Sequence, residues 1–459
     1  MERKYWRPEV EELSLEELQK IQLPKVQKQI KYCYDNSPFY YRKKLDEIGI
    51  KPEDIRTWED FRNIPILLTK EDERKSQEGS IEMFGHPYGL HVCAPVEKVQ
   101  GITATSGTTG TPTFTHLFTA KDLSINNEVW ARVFWRAGMR PGDLVMHAFG
   151  FSMWTLGVPC VMSIINFGAR PIPVGAEAGS ERILRFLDQC RPSAMVATAP
   201  LVEHLIERAP GLIDKPVGEL GLKRIVCTGA PGAGIPQVRK KIETSYGASL
   251  WDSAGGGEGV HMVSCDAPEY QGMHFVSPEY AIWSLDLVDP ETKKPLEIKN
   301  GVIGEGIMTS LEHEARPPLK FAFGDMLQVF TDQCVCGSKA HRVRILSRVD
   351  DMLIIKGVNV FPTAVRDVIA GFAPRTTGEM RIVLDEPGPG INPPLQMRVE
   401  RGYDSDEGVA EDLKRDLEEA LHNRMRFRSV IEIIPPNTLE RAAGPNAKGI
   451  LIERRYLRK

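Results

Sequence analysis

The feature that most constrains the fold is a repeated alternation between about residues 100 and 330, where short apolar runs end abruptly in Gly, Pro, Ser or Thr. "LVMHAFG", "SAMVATAP" and "KRIVCTGAP" are such runs, and helical stretches such as "SERILRFLDQC" separate them. That alternation predicts α/β architecture with largely parallel strands. Ligands of such sheets bind where loops leave the carboxyl ends of strands, which is where these Gly-rich segments fall. Upstream, Ser14 and Glu17 form a capping box before Leu15, Leu18, Ile21, Val26 and Ile30, so helices are expected, broken near Pro24. After "RVDDMLIIKGVNVFP" the texture changes to a smaller α+β unit. Its apolar runs lie at residues 380–384, 395–399 and 430–434, with a helix carrying Val409, Leu413, Leu417 and Leu421 and a turn-rich loop at "DEPGPGINPP".

A chain of 459 residues exceeds what one hydrophobic core usually serves, so two or more domains are expected. With 26% charged residues and a net charge of -4 there is no basic field for DNA or RNA, and the short basic stretch "ERRYLRK" reads as a solvated tail. The first residues, "MERKYWRPEVEEL", carry charges where a signal peptide needs an apolar core, and no run reaches the length of a membrane span. No membrane association and a cytoplasmic location are therefore expected. In a reducing compartment eight cysteines are not a disulfide framework, and the close pair Cys334 and Cys336 points to metal or catalysis.

The loop Thr105–Thr113, within "TATSGTTGTPTF", has a composition that on its own suits either a plain surface loop or a phosphate cradle. Gly107 and Gly110 free the backbone for close approach, while Thr105, Ser106, Thr108 and Thr109 add hydroxyls to main-chain N–H groups. It has neither the Gly-Lys-Ser/Thr of a Walker loop nor the G-x-G-x-x-G spacing of a dinucleotide fold. "SGTTGTPT" instead resembles the phosphate-loop signature of adenylate-forming enzymes. "SRVDDMLIIKGVNVFP", from Ser347 to Pro362, is similar to the hinge of the phenylacetate-CoA ligase branch, and "YWRPEVEEL" and "NSPFYYRKKL" resemble the way that branch begins.

The resemblance implies a large N-terminal adenylation domain of mixed sheets and helices, residues 1–348, and a small mobile α+β domain, residues 349–459. It implies ATP-dependent activation of an aromatic carboxylic acid of phenylacetate, benzoate or indoleacetate type as the acyl-adenylate. Transfer to coenzyme A then follows, with release of AMP and pyrophosphate. The alternatives are an amine, hydroxyl or carrier-protein acceptor, or a catalytically weak nucleotide- or acyl-binding homologue. A homodimer is implied by resemblance alone.

Residue by residue, the resemblance places Gly229, Ala230 and Pro231 of "CTGAPGAG" in the adenine pocket and Asp252, Ser253 and Ala254 of "LWDSAGGGEGV" at the ATP. Asp325 binds the ribose hydroxyls, Arg348 lies near the nucleotide, and Asp350 is the pivot. Lys356 and Gly357 face the thiol channel of coenzyme A, and Lys448 in "AAGPNAKGILIERR" bridges carboxylate and phosphate during adenylation. The pattern departs from the family in three places. Ala254 and Gly255 stand at the usual Ser/Thr-Glu pair, Thr111 and Thr113 stand where relatives often have lysine, and Phe321-Ala322-Phe323 lacks a common arginine. Glu258 either takes over as the Mg2+ carboxylate by a shifted loop path or is a surface charge.

Cys265 and His274, with Cys334 and Cys336, supply three thiolates and an imidazole from two loops, a set that suits a structural tetrahedral Zn2+. The Cys-x-Cys step is tighter than usual, and it is the resemblance that favours zinc, with His341 as reserve ligand. Phe149, Phe151 and Trp154 in "HAFGFSMWTLG", with Ala199 in "VATAPLVEHL", fall where the family lines its acyl pocket. As a group these aromatics favour a flat, bulky acid.

Overall fold

Five of the apolar runs pair in parallel, in the order Arg170–Pro173, Leu144–His147, Ala194–Ala197, Arg224–Cys227 and Ser249–Gly255. Amphipathic helices cross between them. Gly179–Cys190 buries Ile183, Leu184 and Leu187, and Ala199–Ile213 buries Leu201, Val202 and Leu205. The computed structural model describes residues 4–105, 113–255, 257–355, 358–403, 410–440 and 451–458.

The expectation of largely parallel strands holds for this block and fails beyond it. From Ser249–Gly255 the sheet continues antiparallel through His261–Val263, Met273–Phe275, Arg342–Arg348, Phe321–Phe330 and Val302–Ser310. The turn after Gly255 is too short for a crossover helix, so the chain reverses and pairs with itself. Among the described residues the whole forms a thirteen-stranded mixed sheet. Helix Ala120–Arg136 covers one face and buries Trp130 and Phe134 completely, each contributing roughly 1.5–3 kcal/mol of apolar transfer.

The helix expected to break at Pro24 runs unbroken from Leu15 to Asn36, with the Ser14–Glu17 capping box formed. Pro24 removes one helical hydrogen bond, but tertiary contacts pin both halves. Gln22 donates to Pro278 O, Lys25 to Glu279 O and Gln29 to His313 O.

The C-terminal unit has its own core, drawn from residues between Leu353 and Ile452. Its four-stranded sheet runs Ser429–Ile434, Leu395–Arg401, Thr376–Leu384 and Ile452–Arg454, with helices Pro362–Ala370 and Ala410–Met425. The "DEPGPGINPP" stretch is more than a loop, because Gly390–Ile391 pairs in parallel with Leu353–Ile355. No helix among the described residues is long and apolar enough to cross a membrane.

Candidate active site

The parallel strands deliver their carboxyl ends to one edge, where the segments after His147, Ala197, Cys227 and Asp252 begin. The hairpin Gly101–Thr105 and Thr113–Phe118 pairs Thr105 with Thr113, so the phosphate-type loop is its connection. Ser106, Gly107, Thr108, Thr109 and Gly110 themselves lie outside the described residues, as do Lys356, Gly357 and Lys448. The hairpin is tied to the loop expected to line the acyl pocket: Ala104 N donates to Met153 O at 2.7 Å, and the Thr103 and Thr155 hydroxyls meet at 2.9 Å.

In that loop Trp154 lies against the backbone of Gly229, the first of the residues expected at the adenine. Gly229 has φ +81, and a Cβ there would stand 2.7 Å from Leu156 Cδ1 and 2.8 Å from the Trp154 ring. Glycine is required by both conformation and space. Ala199 begins the next helix and is wholly enclosed against Gly232, which withdraws its side chain from the expected acyl pocket. Phe149 corrects the expectation of a ring facing the acid. It is wholly enclosed in the core, and its influence on the site passes through Trp154, which it meets edge-on at 5.9 Å. Phe151 stands beside His147, 5.1 Å between ring centres, and over Gly175. Sequence reasoning missed Glu177, whose Oε1 accepts from Phe151 N at 2.6 Å, Ser152 N at 3.2 Å and Ser152 Oγ at 3.0 Å. One carboxylate thus holds the turn that presents Phe151 and Trp154.

Strand alternation divides Asp252 and Ala254 from Ser253. The Ser253 hydroxyl is buried and donates to Met262 O at 2.9 Å, which removes this side chain from the expected nucleotide contacts. Asp252 Oδ2 accepts from Tyr270 Oη at 2.5 Å, and a Cβ on Gly234 would fall 2.8 Å from that same oxygen. Burial pushes the Asp252 carboxyl up to about 6, against the opposing pull of the Tyr270 hydroxyl and Arg239. Tyr270, 18 positions away, carried no sequence signal.

Asp325 and Arg348 face each other directly on neighbouring strands and pair at 2.7 Å, while Arg348 also donates to Phe323 O at 2.6 Å. Asp350 is exposed in the short turn Val349–Asp351. Arg454 ties that turn to the last strand, reaching Asp350 O at 3.0 Å and the Asp351 carboxylate at 2.5 Å.

Glu258 is buried, which overturns the surface-charge alternative. Its Oε1 stands 2.5 Å from His116 Nδ1, and its backbone oxygen accepts from Ser310 Oγ at 2.8 Å. Burial opposes ionisation, but the His116 contact, with His313 behind it, outweighs burial and holds the carboxyl below its ordinary range. His116 lies on the strand leaving the phosphate-type loop, so Glu258 is brought to that loop by tertiary pairing. Mg2+ needs only one or two protein carboxylates, and a buried carboxylate at this hairpin suits that chemistry.

Cys265, His274, Cys334 and Cys336 converge, with all four ligand atoms within 4.8 Å of one another. Ligands placed tetrahedrally at about 2.3 Å for sulfur and about 2.0–2.1 Å for nitrogen stand about 3.8 Å apart sulfur to sulfur and about 3.6 Å sulfur to nitrogen. The Cys265–Cys334 separation is 3.7 Å and the Cys336–His274 separation 3.5 Å, so the donor set fits Zn2+ in both chemistry and spacing. His274 Nδ1 lies 3.1 Å from Ala340 O, leaving Nε2 for the metal. His341 is not needed as a reserve, for its Nε2 meets Ser284 Oγ at 2.6 Å. The cluster joins the strand after Glu258 to the segment following the Asp325 strand.

Residues 357–454 match the family model of the AMP-binding enzyme C-terminal domain. The chain is 30% identical to the phenylacetate-coenzyme A ligase of Thermus thermophilus, over 97% of this chain and 99% of that one. Among solved structures it is similar to 2-hydroxyisobutyryl-CoA ligase in the postadenylation state with 2-HIB-AMP, with TM-score 0.87 and 27% identity over 100% of this chain and 94% of that one. Against the same ligase with 2-HIB-AMP and CoA in the thioesterification state the TM-score is 0.69, with 27% identity over 99% and 94%. Relatedness over the full length identifies the chain as a member of the phenylacetate-coenzyme A ligase family, an AMP-forming acyl-CoA ligase that uses ATP and coenzyme A through an acyl-adenylate.

Proposed function

We propose that the acid activated by this ligase is aromatic, of the phenylacetate, benzoate or indoleacetate class. The observation that carries this reading is the Trp154 ring laid against Gly229, an apolar, flat-walled surface next to the hairpin that bears the phosphate-type loop. In this reading Asp325 accepts the ribose hydroxyls, Arg348 faces the phosphates, and Gly229–Pro231 with Asp252 and Ala254 border the adenine. Glu258 is the carboxylate that would hold Mg2+, whose chemistry is to neutralise charge on the leaving pyrophosphate. Lys448 bridges carboxylate and phosphate in the first half-reaction. Residues 349–459 then turn against 1–348 about Asp350, bringing Lys356 and Gly357 to the thiol channel. The Cys265, His274, Cys334 and Cys336 set holds a structural Zn2+ that fastens the Glu258 and Asp325 segments together.

A second reading, a small branched acid, is favoured by the full-length similarity to 2-hydroxyisobutyryl-CoA ligase. Pyrophosphate exchange and AMP release, measured with a panel of aromatic and short branched acids with and without coenzyme A, separates the two. Exchange restricted to aromatic acids, with CoA-dependent AMP release, is expected. Turnover of the branched acids alone would replace the first reading with the second.

A further inference from the structure

The C-terminal unit is held against the main body by a buried charge cluster with an unusual division of partners. Arg366, on helix Pro362–Ala370, reaches across to Glu203 at 2.7 Å, and the two residues are 4% and 7% exposed. On its own side Arg366 also pairs with Glu379 at 3.2 Å. Glu203, on the Ala199–Ile213 helix, also lies 3.7 Å from Lys241 on the body. Nearby, Thr363 Oγ1 donates to Leu346 O at 2.6 Å, and Gln237 N donates to the Asp367 carboxylate at 3.4 Å.

Breaking a buried ion pair normally leaves an uncompensated charge at high cost. Here separation leaves Glu203 with Lys241 and Arg366 with Glu379, so each charge keeps a partner within its own unit. Such a pair can hold an arrangement and still release it. The arrangement it holds matches the postadenylation state of the 2-hydroxyisobutyryl-CoA ligase with TM-score 0.87, and the thioesterification state of the same relative with only 0.69. Glu203 stands one helical turn beyond Ala199, the first residue of its helix.

We infer that Arg366 and Glu203 form a reversible latch that positions the C-terminal unit for adenylation, with Glu379 and Lys241 as the partners that receive the two charges on release. Arg366 acts here as a positioning residue. The inference rests on the two-step reading above, in which the C-terminal unit moves between half-reactions.

The test measures the half-reactions separately on the full chain: pyrophosphate exchange for adenylation, and thioester formation from supplied acyl-adenylate plus coenzyme A. Arg366→Gln and Glu203→Gln lower exchange about tenfold while thioester formation holds or rises, and Arg366→Lys recovers most of the loss. Glu379→Gln acts in the opposite sense, because the released Arg366 then lacks its partner: thioester formation falls and exchange is kept. Equal loss of both half-reactions in Arg366→Gln and Glu203→Gln, or Glu379→Gln behaving like them, overturns the latch. Wild-type protein inactive in both assays with every acid would instead remove the underlying reading. Thermal unfolding of Glu203→Gln, which preserves shape, reports whether any loss is misfolding, and if one of Arg366→Gln and Glu203→Gln is unfolded at assay temperature the other, which breaks the same pair, decides the comparison.

Discussion

Replacing Gly229 by alanine tests the proposed pocket where its geometry is tightest. The residue has φ +81, and the added methyl would stand 2.7 Å from Leu156 Cδ1 and 2.8–2.9 Å from the Trp154 ring. A left-handed backbone costs a non-glycine residue roughly 1–2 kcal/mol. Overpacking of this kind costs roughly 1–3 kcal/mol more. Leu156 is buried and Phe149 backs Trp154, so the indole can yield only outward, into the space assigned to the acid. Gly229→Ala should therefore lose roughly 2–5 kcal/mol of unfolding free energy, the sum of the two terms. It should also raise KM for the acid well beyond any change in KM for ATP. Denaturant unfolding and steady-state kinetics of pyrophosphate exchange measure both. The double variant Gly229→Ala with Trp154→Ala relieves the ring contact and keeps the backbone strain, so its acid KM should no longer depend on position 229. A Gly229→Ala protein with unchanged stability and an unchanged acid KM would refute the reasoning, since neither strain nor the indole contact could then exist.

Protein purified without chelator should carry one zinc per chain by elemental analysis, and Cys334→Ser should lose both the metal and several degrees of thermal stability. Absence of zinc from wild-type protein would end the assignment. Burial pushes the Asp252 carboxyl up to about 6 from an ordinary value of 3.8, so its protonated form is the one the fold favours. Its contribution to stability is complete below about pH 4 and is lost as pH rises through about 6, by at most about 3 kcal/mol. Asp252→Asn should flatten the stability profile between those limits, and an unaltered profile would count against the buried carboxyl. Glu177→Ala frees the Phe151–Ser152 turn and should raise KM for the acid with KM for ATP kept; a matching rise in both would show that the turn serves the fold alone.

Local chemistry was legible wherever it depends on neighbours in sequence. The Ser14 cap, the strand ends at His147, Ala197 and Cys227, and the small unit after the hinge could be read because they follow from periodicity and from Gly, Pro and Ser/Thr punctuation. The Pro24 break could not be read correctly, because Gln22, Lys25 and Gln29 reach partners more than 250 positions away. Phe149 and Phe151 look alike in sequence, yet one is enclosed in the core and the other stands beside Gly175. Ser253 and Asp252 differ in a way the chain does encode, since neighbours on a strand point to opposite faces and cannot both turn to the nucleotide.

By itself, then, the sequence determined an α/β body, through periodicity and punctuation, and carried by its resemblance to a known family the motif order of an adenylate-forming ligase and the identities of the four metal-type ligands. Only the tertiary structure decided that Glu258 is a buried carboxylate against His116, that Tyr270 caps Asp252, and that Arg366 reaches Glu203. These pairings join residues 18 to 163 positions apart, or lie across strands whose register no local pattern specifies. Their partners are chosen by which strands and helices pack together, and that is set by burial of the whole core.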